Sequence, residues 1–313
     1  MAPRHYSDEQ GRLRVDAVQE FANQGATLVI HDIGSFVPAI GELTTAMERE
    51  LRCRISVNAY LTFGALSAFI PHGDAHDVLV LQVHGAKRWR SFGCPRPVPL
   101  KGTRPSVGEA EWEGLLTPGD LLYLPRGEVH AAVPDALPSA HLTIGLTEAT
   151  GVDLLRWLEA RATESQALRQ GIGASLAGAR RDARDQGLAA ALHDLVDSAT
   201  VADFLADQDR ERPLRSLVML KVEGRFTPET QLCSALRRRL DLAADREGEV
   251  LLVLGGRRLR LAQLSRRALV EVTHHHRLTV AAVAAKLGQD SGGEEFIACL
   301  EDLARKGLVA TVD

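Results

Sequence analysis

Residues Pro71 to Trp89 read PHGDAHDVLVLQVHGAKRW, with His72, Asp74, His76 and Asp77 set in front of an apolar run. In an extended strand side chains alternate, so His72, Asp74 and His76 share one side while Asp77 faces the other. A His-x-Asp pair aims an imidazole and a carboxylate at one point, which begins a metal site but needs a third ligand from elsewhere. Further along, Gly85 and Ala86 interrupt two apolar strands, so HGAKRW predicts a tight connection after which Lys87 and Trp89 face the same way. Two readings of Lys87 stand. It is either a solvated turn residue beside Arg88 and Arg90, or a buried ammonium, which is costly unless an anion pairs with it.

The third ligand is suggested by GDLLYLPRGEVH, Gly119 to His130. This stretch resembles the second sequence motif of the cupin barrels, except that Pro134 stands where the motif closes on asparagine. Gly119-Asp120 makes a turn, LLYL a strand, and Pro125-Arg126-Gly127 a bend that delivers His130 inward. Two imidazoles and one carboxylate form the facial triad that leaves coordination positions open and suits non-haem Fe(II). A structural zinc site would want four protein ligands, preferably thiolates. By parity His76 is either a fourth ligand or a group behind the site. The run His274-His275-His276 reads as a linker or helix end, because neighbouring residues on a regular element do not converge on one ion, although short His-rich tracts do bind metals.

Several elements must position these groups. From Ala26 to Thr147 short apolar runs (ATLVIHDI, RISVNAYLT, DVLVLQV, KRWRSFG, DLLYLP, HAAVP, HLTIGL) are broken by Gly, Pro and Asp, which predicts strands of a barrel or sandwich. Ser35 to Arg52 places Ile40, Leu43, Met47 and Leu51 in a helical stripe against that sheet. After Gly151 the texture turns helical: Val152, Leu155 and Leu158 share a face, and two or three helices are expected to about Asp209. Their narrow stripe must pack either on a second copy or on the chain's own β region. From Arg212 onward the order of segments, ending in EEFIACLEDLARKGLVATV, is that of a winged helix. The fold class expected is therefore α+β, a barrel over residues 1–150, a helical region over 151–210 and a winged-helix-like region over 211–313.

Composition narrows the partners. The chain has 313 residues, 45% hydrophobic and 25% charged, enough for two or three compact units. Its 37 basic and 41 acidic residues are scattered, so no single-sign field points to nucleic acid or to an acidic membrane. The last helical segment has four acidic residues, with Arg305 and Lys306 as its basic ones, so direct nucleic-acid readout is not expected. Cys53, Cys94, Cys233 and Cys299 lack CxxC spacing and fit free thiols in a reducing compartment. The opening MAPRHYSDEQGRLR has no apolar run after it, and no segment reaches spanning length, which predicts a cytoplasmic protein.

In this order, NAYLT, PHGDAHDVLVLQVHGAKRW, GDLLYLPRGEVH and SAHLTIGL are similar to the JmjC-type ribosomal oxygenases, a family of Fe(II)- and 2-oxoglutarate-dependent protein hydroxylases. The similarity runs from about Gly25 to Thr147, and the later regions follow the family's domain order more weakly. The resemblance implies a double-stranded β-helix barrel in which His72, Asp74 and His130 bind iron. It also implies that Lys87 pairs with the distal carboxylate of 2-oxoglutarate, with Tyr60 supporting it and Asn58 and Ser139 as further lining residues. Implied with these are O2 as co-reactant, a homodimer built through the helices, and hydroxylation of a protein side chain, such as an Arg or His of a ribosomal protein. Three departures bear on the substrate: 71 residues precede His72, fewer than expected, so substrate-facing structure is expected to be absent or rebuilt; Gly73 between the strand ligands is expected to widen the pocket; and the last helix is acidic. Two alternatives stand beside this reading, the same chemistry on a biosynthetic peptide or small metabolite, and a non-catalytic cupin and winged-helix scaffold.

Overall fold

The computed structural model describes residues 5–65, 70–99, 107–212, 214, 226–240, 248 and 250–312. The chain forms two compact units, Met1–Glu148 and Ala149–Asp313. Part of the expected winged-helix-like segment, residues 213, 215–225, 241–247 and 249, lies outside the described residues.

The first unit opens with helix α1 (Val15–Asn23), which the sequence reading did not anticipate, and an antiparallel sheet follows. Its strands are β1 (Thr27–Ile30), β2 (Arg54–Thr62), β3 (His72–Gly73), β4 (Asp77–Ser91), β5 (Trp112–Leu116), β6 (Leu121–Leu124) and β7 (Val129–Thr147). The order is β1-β2-β7-β4-β5, with β3 joined to β7 and β6 to β4. Helix α2 (Pro38–Leu51) starts with proline at its first turn, where the missing N–H costs nothing. It lies on β2, where Ile40 and Met47 pack with Cys53, Ile55, Val57 and Ile144. The expected stripe is half right, since Leu43 and Leu51 are exposed and the buried positions are Gly41, Thr44, Thr45 and Glu48. Small side chains let α2 approach closely, and Glu48 accepts the Ile55 N–H at 3.0 Å.

β2 separates two environments by strand parity. Ile55, Val57 and Ala59 are buried on the α2 side, while Asn58, Tyr60 and Thr62 line a cavity. β4 does something the sequence reading missed. HGAKRW is no tight connection: β4 runs unbroken for 15 residues, with register shifts against β7 between Gln82 and Lys87. Val78, Val80 and Gln82 are buried before the irregularity, and Lys87, Trp89 and Ser91 after it. Such a bulge changes the inward parity from even to odd. Without it, Lys87 would face away from Val78 and Val80. Across from it, the expected runs HAAVP and HLTIGL are one strand, β7, whose cavity positions change from His130, Ala132 and Pro134 to His141 and Thr143.

In the second unit α3 (Gly151–Ala162), α4 (Gln166–Arg169), α5 (Ala179–Asp197) and α6 (Val201–Glu211) make four helices rather than two or three. Capping boxes start α3 at Thr150 with Asp153 and α6 at Thr200 with Asp203. Trp157 ties α3 to α6 through a 3.0 Å bond to Asp207 and a ring contact with buried Phe204. Val152 and Leu155 of α3 are exposed. Beyond lie β8 (Gln231–Ser234), the hairpin β9 (Val250–Leu254) and β10 (Arg257–Leu261), α7 (Gln263–His274), β11 (Leu278–Thr279), α8 (Val280–Leu287), α9 (Glu294–Arg305) and β12 (Val309–Val312). β8 pairs with both β11 and β12, and Leu232, Leu261, Leu269, Leu300 and Leu308 close the core against α7 to α9.

Gly85 is the residue the bulge cannot replace. It has φ of +62°, and a Cβ there would lie 2.4 Å from the Pro138 carbonyl oxygen and 2.5 Å from that of Ala136. Both obstacles are backbone. Gly85→Ala should therefore destabilise the first unit by about 2 kcal/mol or more, read as a lower urea midpoint; an unchanged midpoint would show that the bulge is not constrained there.

Candidate active site

β3 brings the first two ligands to the third. His72 is paired in register with His130, their rings 4.6 Å apart, and Asp74 Oδ2 lies 3.8 Å from His130 Nε2. One ligand atom from each of His72, Asp74 and His130 lies within 4.8 Å of the others, the one such group among the described residues. The backbone fixes the imidazole tautomers. His72 Nδ1 is 3.0 Å from the Ile70 carbonyl oxygen, and His130 Nδ1 is 3.0 Å from that of Glu128. A carbonyl only accepts, so each Nδ1 carries a proton and Nε2 is the nitrogen left to bind a metal. Burial lowers the His130 pKa, opposed by its hydrogen bond to the Glu128 carbonyl and, more weakly, by the Asp74 and Glu128 charges, with a smaller downward push from His72. Two imidazoles, each with Nε2 turned to the group, and one carboxylate therefore converge, a donor set that fits Fe(II).

The bend before His130 is held from β4. Asp77, on the opposite face from Asp74, accepts the Arg126 N–H at 2.6 Å, and the Asp74 carbonyl accepts the Gly127 N–H at 2.9 Å. Gly73 does not widen the cavity: an added Cβ would meet the Gly127 carbonyl oxygen at 3.2 Å, and the residue is not part of the lining. His76 lines the cavity outside the three-ligand group, its ring seated where any Cβ on Gly145 would intrude to 2.7 Å. His274, His275 and His276 stand at the end of α7 and join no such group among the described residues.

At the other end of a cavity of about 220 Å³ sits Lys87. It is buried, which removes the surface reading. Its Nζ donates to Thr62 Oγ1 at 2.9 Å and to His141 Nδ1 at 3.1 Å. Both acceptors are uncharged, and burial alone lowers the Lys87 pKa to about 8. Burial, reinforced by Lys87, lowers that of His141 to about 3. Tyr60 lines the same wall, its ring stacked on His141 at 4.8 Å and 9°. Burial and then the Asp74 charge raise the Tyr60 pKa, so its hydroxyl stays a donor. Asn58 also lines the cavity, with its Oδ1 accepting the Asp32 N–H at 3.1 Å. Ser139 is not brought to the cavity: it is buried, and its hydroxyl accepts from Gln82 Nε2 at 2.9 Å. Thr62 and His141 were missed by the sequence reading; alternation could have found Thr62, two positions beyond Tyr60 on the same face of β2.

Residues 31–154 match the JmjC domain family. Among curated proteins, the chain is similar to the bifunctional lysine-specific demethylase and histidyl-hydroxylase NO66 of Drosophila willistoni, 31% identical over 145 residues that are 44% of this chain and 19% of that protein. It is similar to the protein of the same name from Dictyostelium discoideum, 30% identical over 43% of this chain and 28% of that protein. The matched part thus spans about a fifth to a quarter of these relatives. Among solved structures, the ribosomal oxygenase YcfD of Escherichia coli, in complex with cobalt and 2-oxoglutarate, superposes with a TM-score of 0.58 at 17% identity, covering 92% of this chain and 78% of that one. At that identity the likeness speaks for the fold. The fold of the barrel is of the JmjC and cupin type, and the JmjC match is confined to residues 31–154.

Asp74→Ala should weaken Co(II) or Fe(II) binding by at least about 100-fold, measured anaerobically by calorimetry, with the far-ultraviolet dichroism unchanged. Binding within threefold of native would mean that another ligand set holds the ion.

Proposed function

We propose that the chain is an Fe(II)- and 2-oxoglutarate-dependent oxygenase that hydroxylates a side chain of a protein. One observation carries this reading: a single cavity holds a two-histidine, one-carboxylate set at one end and, at the other, a buried ammonium bonded to uncharged partners. His72, Asp74 and His130 would hold the metal. Iron bound there with 2-oxoglutarate and O2 would supply the oxidising chemistry that places a hydroxyl on carbon, with succinate and CO2 as the other products. Lys87 would pair with the distal carboxylate, since a buried ammonium gains most from an anion that replaces lost hydration. Tyr60, held protonated, would donate to the same cosubstrate, and Asn58 would line the pocket beside it. Val78, Val80 and Trp89 keep the intervening wall apolar, so water is excluded from the ligand.

The relatives' names, which speak of histidyl hydroxylation, lysine demethylation and a ribosomal oxygenase, support a protein substrate, and a ribosomal-protein Arg or His is the target to test first. We read β8, α7, α8, α9, β11 and β12 as a winged helix that serves as scaffold. Arg305 of α9 and Lys306 at its C-cap both pair with Asp302, and Glu294 and Glu295 open the helix, which disfavours phosphate there. The exposed Val152 and Leu155 of α3, Leu192 and Val196 of α5 and Val201 of α6 favour homodimerisation through the helical region. Among the described residues no helix is long and apolar enough to cross a membrane.

The test is succinate formation from 2-oxoglutarate with Fe(II), O2 and ribosomal-protein peptides, each turnover adding one oxygen atom to the peptide by mass. No stimulation by any such peptide would remove the ribosomal target, and no succinate under any condition would remove the oxygenase reading. Lys87 also sets a pH signature. Anion binding needs the ammonium, and the ligand-free protein keeps that proton only below about pH 8. The affinity of the Co(II)-loaded protein for 2-oxoglutarate should be flat below pH 8 and fall by up to about tenfold per pH unit above it. Lys87→Met should bind at least about 100-fold more weakly and lose that step; a native-like Kd in this variant would assign the anion to another group.

A further inference from the structure

His141 occupies a position the oxygenase chemistry described above does not use. It is buried on β7 and fixed from two sides, stacked on Tyr60 and met edge-on by Trp89 at 5.5 Å and 87°. A ring held in that way cannot turn to follow its neighbour. Its Nδ1 faces the Lys87 ammonium at 3.1 Å, and an ammonium has donors alone. Nδ1 must therefore be the bare nitrogen and Nε2 the protonated one, the tautomer opposite to that of His72 and His130.

The second acceptor of Lys87, Thr62 Oγ1, is fixed in turn by a 3.1 Å contact with Thr27 Oγ1. Lys87 thus has two of its three N–H groups committed in directions set by β2 and β7, and one left. A carboxylate in place of either acceptor would orient the ammonium equally well but would cancel its charge. An imidazole and a hydroxyl orient it without cancelling it.

We infer, on the reading of the cavity given above, that His141 is a positioning residue for anion recognition: its Nδ1 accepts a hydrogen bond from one Lys87 N–H, fixes the ammonium, and leaves its charge and its third N–H for the distal carboxylate of a dicarboxylate cosubstrate. The inference separates two properties of the side chain, its shape and its acceptor atom. His141→Phe keeps an aromatic ring beside Tyr60 but has no acceptor. His141→Asn loses the ring but keeps an oxygen near the place of Nδ1.

The experiment is calorimetric titration of 2-oxoglutarate into the Co(II)-loaded native protein and its His141→Phe, His141→Asn and Lys87→Met variants, with nitrogen NMR of histidine-labelled, metal-free native protein alongside. His141→Phe should weaken binding by about 10- to 50-fold, and His141→Asn should recover to within about fivefold of native. In steady-state turnover the Phe variant's loss should fall on KM for 2-oxoglutarate more than on kcat. NMR of the native protein should show His141 protonated at Nε2 with Nδ1 accepting a hydrogen bond, a readout that needs no variant to fold. Equal weakness of the Phe and Asn variants would make the role one of shape and overturn the inference, as would a His141 protonated at Nδ1. If Lys87→Met loses affinity while His141→Phe binds like native, the inference falls and the anion site stands; if Lys87→Met itself binds like native, the reading of the cavity falls first.

Discussion

The register of β4 against β7 is the constraint on which the site depends. These two long antiparallel strands carry His130, Lys87, Trp89 and His141 between them, and β3 reaches His130 only because it pairs with β7. A strand has two faces, and a regular β4 would put its valines and its lysine on opposite ones. The bulge around Gly85 adds the odd residue that brings both to the cavity. His72 and His130 on one side and Lys87 on the other are thereby held on one ladder, at a separation set by backbone hydrogen bonds and not by loop conformation.

Electrostatics explains why such a ladder is needed. In the ligand-free fold Lys87 is lowered from its usual 10.5 to about 8, a cost to folding of order 3 kcal/mol while the group is charged. Since the folded pKa is the lower one, the penalty is fully present below about pH 8 and fades as pH rises toward 10.5. Stability is spent to keep an unneutralised cation indoors. The same economy shows at the metal end, where backbone carbonyls, not carboxylates, orient both imidazoles. Asp74 is the one carboxylate of that three-residue group, so a dication held there would keep a net positive charge for anionic ligands.

What could be read from the sequence follows the range of the interaction involved. His72 and Asp74 were legible because alternation along one short strand is local, and His130 because Pro125-Arg126-Gly127 is a local bend with a recognisable spacing. Lys87 was legible as a residue but not in its surroundings, since its burial depends on a bulge whose partner carbonyls, at Ala136 and Pro138, lie about fifty positions away. Ser139 was expected on the cavity wall and is turned to Gln82, while His141, two residues on, went unnoticed. The error has a physical source: which face β7 offers after Pro134 is decided by its shifted register against β4. On α2, hydrophobic periodicity pointed to Leu43 and Leu51, yet the buried face is built of Gly41, Thr44 and Thr45, because close approach to β2 favours small residues over large ones.

These observations suggest a division of labour along the barrel. Of the residues proposed to hold the metal and the cosubstrate, His72, His130, Lys87 and Tyr60 lie on paired strands, while Asp74 follows directly on β3. Of the other lining residues, His76 stands in the β3 to β4 connection, and Asn58, on β2, accepts the N–H of Asp32. Turns can change in sequence without moving the strand register. The JmjC match over residues 31–154 therefore bears more strongly on the chemistry of this cavity than on the molecule that enters it.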